Sequence, residues 1–318
     1  MSRSLKADVL LVTISIIWGA TFVVIKNALA DVTPFLFNVL RFGLAAVTLI
    51  IVFHRELPRI RKGVLGYGAL IGAFLWAGNE LQTMGLQYTM PSKSAFLTGV
   101  SVVLVPVFLA VFWKRGIGTW SQVGVVMAFS GLFLLTIPGS EPGGPTFIHV
   151  NRGDLFTLEA AVVYAFHIIF MGHATARHRW QQIAVVQTVI CALLMMATMF
   201  VGPAQSIVWS RPVISGVLIT GFLSLALAFA IQAWAQQHAP ATHAALIFSL
   251  EPVFAWLTSF WLLGERLGAR AGVGALLILG GVLISEEKGE TESKAVPPDH
   301  AGVPSIAEEL DEIGAADH

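Results

Sequence analysis

The segment GTWSQVGVVMAFSGLFL, Gly118–Leu134, returns 150 positions later as GARAGVGALLILGGVLI, Gly268–Ile284. Glycine falls on glycine at Gly118/Gly268, Gly124/Gly274 and Gly131/Gly281, and valine on valine at Val123/Val273. The same offset carries Gln82 onto Gln232, Gln87 onto Gln237 and Ala95 onto Ala245. An offset of 146 carries Asp8 onto Asp154 and Trp18 onto Tyr164, the difference being absorbed by connecting segments of unequal length. Self-similarity at a fixed offset marks a duplicated structural unit.

Each copy has the composition of a membrane protein. Hydrophobic residues fill 56% of the 318 positions and charged residues 12%, with a mean hydropathy of +0.76. Soluble domains carry about 25% charged residues to solvate their surface, so much of this chain's surface must face lipid. Apolar stretches long enough to cross a bilayer occur over 7–26, 34–53, 64–86, 94–113, 120–138, 154–173, 182–201, 213–236, 242–263 and 270–285. They predict an all-α membrane protein of about ten transmembrane helices, in two five-helix repeats over 1–138 and 154–285 joined by a linker over 139–153. Five crossings is an odd number, so the second repeat starts from the opposite side of the bilayer and the pair is inverted. Inverted repeats let two pseudo-equivalent halves exchange inward-open and outward-open shapes around one central site. The pattern therefore points to a carrier that works by alternating access.

Lys and Arg collect on cytoplasmic loops. With the N-terminus inside, the inner side receives eleven of them and the outer side six, so both termini are expected in the cytoplasm of a multi-pass protein of the inner (plasma) membrane. Ten of the 19 acidic residues lie in 286–318, which reads as a disordered acidic tail. The body, 1–285, keeps 17 basic and 9 acidic residues; because the basic residues sit between apolar segments, they set topology and no nucleic-acid partner is expected. Cys191, alone in an apolar run, forms no intrachain disulfide. The apolar run from Ala7 to Ile25 is longer than a signal-peptide core, so an uncleaved first helix is expected.

Ionisable residues at membrane depth cost at least ~2.5–3.5 kcal/mol each on insertion scales and need a partner or a wet cavity. Arg41, Glu80, Glu159 and Glu251 are of this kind. Trp76, Glu80, Thr83 and Gln87 recur at helical spacing, which places an aromatic ring and three polar groups on one stripe. That stripe is expected either to wall a substrate cavity or, through a Glu80–Arg41 pair, to brace two helices. Thr98 continues a hydroxyl face with Ser94 and Ser101, while Lys93 is expected to snorkel to the interface. Glu159 and His167, eight residues apart, can border one cavity, either as groups for proton coupling or as a hydrogen-bonded structural pair. Pro106 and Pro252 each remove a backbone hydrogen bond inside a helix and are expected to act as hinges; Glu251 beside the second reads as a brace. Trp18 and Tyr164, related by the repeat, join the cavity set with Gln232. Gly68-x-x-x-Gly72 and Gly268-x-x-x-Gly272 predict close helix contact.

Several stretches carry a family likeness in the right order: Ile17-Trp-Gly-Ala-Thr-Phe22, Arg41-Phe42, Leu81–Tyr88 leading into Lys93–Gly99, then Leu250-Glu-Pro-Val253 ahead of Leu263-Gly-Glu-Arg-Leu267. Over nearly all of 1–285 the chain resembles the EamA family of the drug/metabolite transporter superfamily. The resemblance implies a ten-helix secondary transporter of amino acids, nucleobase-like metabolites or drugs, often an exporter. Trp113-Lys-Arg-Gly116 departs from the Gly264-Glu-Arg266 of the second unit, and Glu159 stands where a small or apolar residue is expected.

The rival readings are an intramembrane enzyme and a passive channel. No HExxH, paired-aspartate, Gly-x-Ser-x-Gly or Walker A pattern occurs, so no catalytic residues, metal or cofactor are expected. No filter loop or ring of charge is visible. The expected partners are a small-molecule substrate and the lipid bilayer, with the protein a monomer or homodimer.

Overall fold

A computed structural model describes residues 3–114, 116–136, 151–201, 203–263 and 269–295. Among them there is no strand, only an isolated bridge between Val32 and Ile207. Helices satisfy every backbone group within one segment, as hydrocarbon surroundings demand. In chain order they are α1 (Arg3–Ala28), α2 (Pro34–Val52), α3 (Lys62–Tyr88), α4 (Pro91–Gly99), α5 (Ser101–Trp113), α6 (Thr119–Thr136), α7 (Arg152–Arg177), α8 (Trp180–Val201), α9 (Arg211–Ile219), α10 (Ala228–Gln236), α11 (Ala241–Phe248), α12 (Glu251–Leu263) and α13 (Ala269–Ala295). A 3₁₀ turn over His54–Arg59 joins α2 to α3, and a π-helical segment, Thr220–Leu227, joins α9 to α10. Seven helical rods are long and apolar enough to cross a membrane, three of them being the composite rods Pro91–Trp113, Arg211–Gln236 and Ala241–Leu262. Shorter apolar stretches are held by α6 and α13. The polar groups of α3, among them Asn79, Glu80, Gln82 and Thr83, keep it less apolar.

The polarity is that of a lipid-embedded bundle. Trp261, Phe200 and Val111 are 80%, 78% and 64% exposed, whereas Asn38, Arg41 and Gln187 are buried. Water would invert that arrangement; lipid does not.

The two copies of the repeated segment pack against each other. A Cβ on Gly124 would lie 2.6 Å from the carbonyl oxygen of Gly281, and one on Gly131 would lie 2.5 Å from that of Gly274. The pairs 124/281 and 131/274 run in opposite senses, so α6 and α13 are antiparallel, and each glycine meets the counterpart of the other. Only hydrogen in place of a side chain permits this approach. Likewise Gly68 rests on Val186 and Gly72 on the carbonyl of Gln187, joining α3 to α8. Gly272, by contrast, has open space beside it, and Gly268 lies outside the described residues.

Three expectations need correction. The breaks in the composite rods fall at Val100, between α4 and α5, and at Ser249–Leu250, between α11 and α12. They are related by the 150 offset. Pro106 sits six residues beyond the first break, inside α5. Pro252 is the second residue of α12, where its missing N–H would have no intrahelical partner anyway. The expected tail is helical in its first part, since α13 continues to Ala295; 296–318 lie outside the described residues. So do 139–150 of the expected linker, while its end forms the start of α7. There Asn151 accepts from the Asp154 N–H at 3.0 Å and donates its own N–H to the Asp154 carboxylate at 2.9 Å, a reciprocal cap.

Candidate functional site

A cavity is lined by residues of α1 to α5, α7, the π-helical segment and α10 to α12. Its apolar wall is aromatic: Trp18, Phe22, Tyr164, Phe229 and Phe248, with Trp18 5.4 Å from Phe229 and 5.1 Å from Phe248 between ring centroids. The polar wall includes Arg41, Asn79, Gln82, Thr98, His167, Gln232 and Glu251. Of the sequence-expected cavity residues, the fold brings together Trp18, Arg41, Thr98, Tyr164, His167 and Gln232.

Most polar groups here are committed to one another. Tyr164 donates its hydroxyl to Gln82 Oε1 at 3.2 Å, and Gln82 donates Nε2 to Thr98 Oγ1 at 3.0 Å. The Trp18 indole N–H reaches the Ser224 carbonyl at 2.9 Å. His167 Nε2 lies 3.0 Å from Gln187 Oε1. Gln232 donates to Gln236 Oε1 at 2.9 Å, leaving its own Oε1 buried without a partner.

Arg41 is held by three acceptors on two helices: Nε on Asn38 Oδ1 at 2.9 Å, and Nη2 on Asn79 Oδ1 at 3.1 Å and Thr83 Oγ1 at 3.0 Å. Asn38 passes the charge on, since its amide donates to Glu80 Oε2 at 2.9 Å; Thr198 donates to Glu80 Oε1 at 3.2 Å. The Arg41–Glu80 brace is therefore relayed through an amide and is not a direct ion pair. Asn38→Ala is expected to cost about 1–3 kcal/mol, because it strips partners from two buried charges, and thermal unfolding in detergent measures it.

Two ionisable groups stay uncommitted. Among the described residues the Arg41 Nη1 and the Glu251 carboxylate both face the cavity with no hydrogen-bond partner on the protein. Tyr164 stands within electrostatic reach of both. Glu251, expected as a brace, is instead an unpaired carboxylate of the cavity wall.

Other expected residues lie elsewhere. Trp76 donates to Thr198 on α8 at 3.4 Å, and Glu80 and Thr83 belong to the network behind Arg41. Gln87 is exposed and lines a second, shallow pocket with Arg152 and Gln205. The α3 stripe thus faces α2 and α8. Its neighbouring positions Asn79 and Gln82 face the cavity, because Gly78 and Gly85 lie against α7, at Tyr164 and Thr157. Glu159 is exposed on the outer surface of α7, beside exposed Leu155, Leu158 and Val162, so it does not border the cavity with buried His167. Lys93 does not snorkel: it pairs with Asp154 at 2.6 Å. Asn38 and Asn79 were missed for want of any signal beyond their polarity in apolar runs. Gln82 carried one, its match to Gln232.

The chain is 31% identical over 288 residues to a protein of Archaeoglobus fulgidus named "Uncharacterized transporter", covering 89% of this chain and 86% of that protein. It is 30% identical over 217 residues to "Uncharacterized inner membrane transporter YedA" of Escherichia coli K12, covering 66% of each. A solved structure described as "Crystal structure of protein" superposes with a TM-score of 0.68 at 16% identity, over 92% of this chain and 99% of that one, which shows a shared fold. The model of the EamA-like transporter family matches residues 5–137 and again 151–286, so this multi-pass membrane chain belongs to the EamA-like transporter family.

Proposed function

We propose that the protein is a secondary transporter for a small zwitterionic solute with an apolar or aromatic body, an amino-acid-like metabolite, moved by alternating access and in the export direction. In this reading ten helices cross the inner membrane as two inverted repeats, 1–138 and 154–285, with both termini in the cytoplasm. The α4–α5, α9–α10 and α11–α12 rods each count as one crossing. The antiparallel meeting of α6 and α13, glycine against counterpart glycine, supports the inversion. The name of the E. coli relative supports the compartment.

The observation that carries the substrate class is the pair of unpartnered ionisable groups, the Arg41 Nη1 and the Glu251 carboxyl, on a cavity wall whose other polar groups are mostly bonded to one another. A solute that brings a carboxylate to Arg41 Nη1 and an ammonium to Glu251 gives both groups charge-assisted hydrogen bonds that the protein leaves unmade. The aromatic lining receives its apolar part. Counterflow in proteoliposomes with a panel of neutral amino acids, their N-acetyl forms and their methyl esters tests this. Zwitterions are expected to exchange, and both blocked forms to fail. Glu251→Gln is expected to weaken binding by about 1.5–3 kcal/mol, the worth of a hydrogen bond to a charged group, tenfold or more in Kd. Equal exchange of zwitterion and ester would defeat the assignment of Arg41.

A further inference from the structure

Two of the side-chain pairs that tie the halves of the sequence together are related by the repeat. Lys93, before Thr98 on α4, meets Asp154 of α7 at 2.6 Å. His243, before Phe248 on α11, meets Asp8 of α1 at 2.8 Å. The 146 offset carries Asp8 onto Asp154, and the 150 offset carries Lys93 onto His243. Each aspartate precedes its own aromatic cavity residue, Trp18 or Tyr164, by ten positions, and each cation precedes Phe248 or Thr98 by five. The pairs are one device built twice.

They lie at opposite ends of the bundle. Lys26, near the end of α1, donates to the carbonyl of Thr89 at 3.0 Å, and the Thr89 hydroxyl donates to Asp154 at 2.9 Å. Asp8 is 18 residues earlier on the same helix, about 27 Å away at 1.5 Å per residue. The cavity sits between. Both pairs are mostly buried, with side-chain exposures of 17% and 6% for Lys93 and Asp154 and 18% and 11% for His243 and Asp8.

The copies differ in one chemical respect. An ammonium group keeps its charge across the physiological range, whereas imidazole gains and loses its proton within it. We propose that the Asp8–His243 pair is a proton-binding site that latches one end of the cavity, and that Asp154–Lys93 is the proton-indifferent latch of the other. The proton comes from water at the Asp8 end and is taken up at Nδ1 while Nε2–H remains on Asp8. The resulting imidazolium–carboxylate pair holds α1 to α11; loss of the proton leaves only a hydrogen bond from a neutral imidazole to the Asp8 carboxylate, and that end opens more readily. The proposal rests on the alternating-access reading.

Other titratable residues lie on the elements packed around this pair. On α1 these are Arg3 and Lys6, whose ammonium lies over the Trp234 ring at 5.2 Å. Lys114 follows α5, and His238 follows α10 with Nδ1 on the Trp234 carbonyl at 2.9 Å. His173, stacked on Trp113, and Arg177 close α7. Glu251 opens α12, α6 has no titratable residue, and α13 has none between Gly272 and Ser285, with Glu286, Glu287 and Lys288 next in sequence. None of their side chains is bonded to the pair in the described residues.

The test uses the full chain with Ser101→Cys in the cavity wall, Cys191 being buried out of reach. Labelling by a membrane-impermeant maleimide is measured from each side of oriented vesicles at about pH 5.5 and about pH 8, values that bracket imidazole titration. Each variant's rate is divided by that of His243→Lys at the same pH and side, which cancels thiol ionisation. Access from the Asp8 end of the parent is expected to fall about tenfold at the lower pH, within the usual range of coupling between sites. Lys93→His, measured alongside, is expected to install the same response at the opposite end. If His243→Lys keeps the parent's pH response, or if Lys93→His gains none, the latch is overturned; the second arm decides alone where the first variant does not fold. If no variant shows access at one end rising as the other falls, the carrier reading itself fails, whatever the pH.

Discussion

Gly131→Ala is expected to lower the melting temperature in detergent, with a loss at the upper end of the ~1–3 kcal/mol cost of overpacking. The new Cβ would stand 2.5 Å from the Gly274 carbonyl oxygen and 2.9 Å from the Ile278 backbone nitrogen. Both obstacles are main chain, so no rotamer change relieves them; α6 and α13 must separate along their whole contact. Gly43→Ala on α2 supplies the opposite sign. Nothing lies within 4 Å of its new Cβ, and alanine is about 1 kcal/mol better than glycine inside a helix, so stability is expected to hold or rise. Equal melting temperatures for the two variants would show that α6 and α13 do not meet as described.

Arg41→Ala is expected to abolish counterflow and to destabilise the fold by about 3–5 kcal/mol, the cost of leaving a buried charge without its partner. Three acceptors, on Asn38, Asn79 and Thr83, lose their donor at once, and Glu80 loses the cation relayed to it. Arg41→Lys is expected to recover only part of either loss. A single ammonium cannot span acceptors set for a planar fork while also presenting a donor to the cavity. The comparison separates two roles: a melting point restored by lysine without counterflow would assign the cavity-facing Nη1 to substrate binding, whereas counterflow retained by alanine would leave Arg41 with structure alone.

How far the sequence could be read follows from these residues. The glycines of the α6/α13 contact stood out as matched positions of the repeat, although the repeat alone did not say that the two copies pack on each other. Trp18 and Tyr164 were legible from their repeat-related placement. The α3 stripe was misread because helical periodicity reports which residues share a face, not which neighbour that face meets. With α2 and α8 on one side and α7 on the other, every side of α3 has polar work, and only Gly78 and Gly85 mark the face toward α7. Glu251 was read as a brace because Pro252 drew the interpretation toward backbone geometry, yet the helix simply begins there. His243 and Lys93 share no chemistry obvious in alignment; only their common aspartate partner makes them equivalent.

The π-helical stretch at Thr220–Leu227 has no counterpart in continuous α3, although the two occupy matching places in the duplicated plan. It turns Ser224 toward α1, where its carbonyl anchors the Trp18 indole, while the opposite half spends Tyr164 on Gln82. On the carrier reading, a solute in the chamber would meet two unlike walls and take one heading across the bilayer. Ancestral duplication supplied a symmetric room; a single wider winding gave it a front and a back.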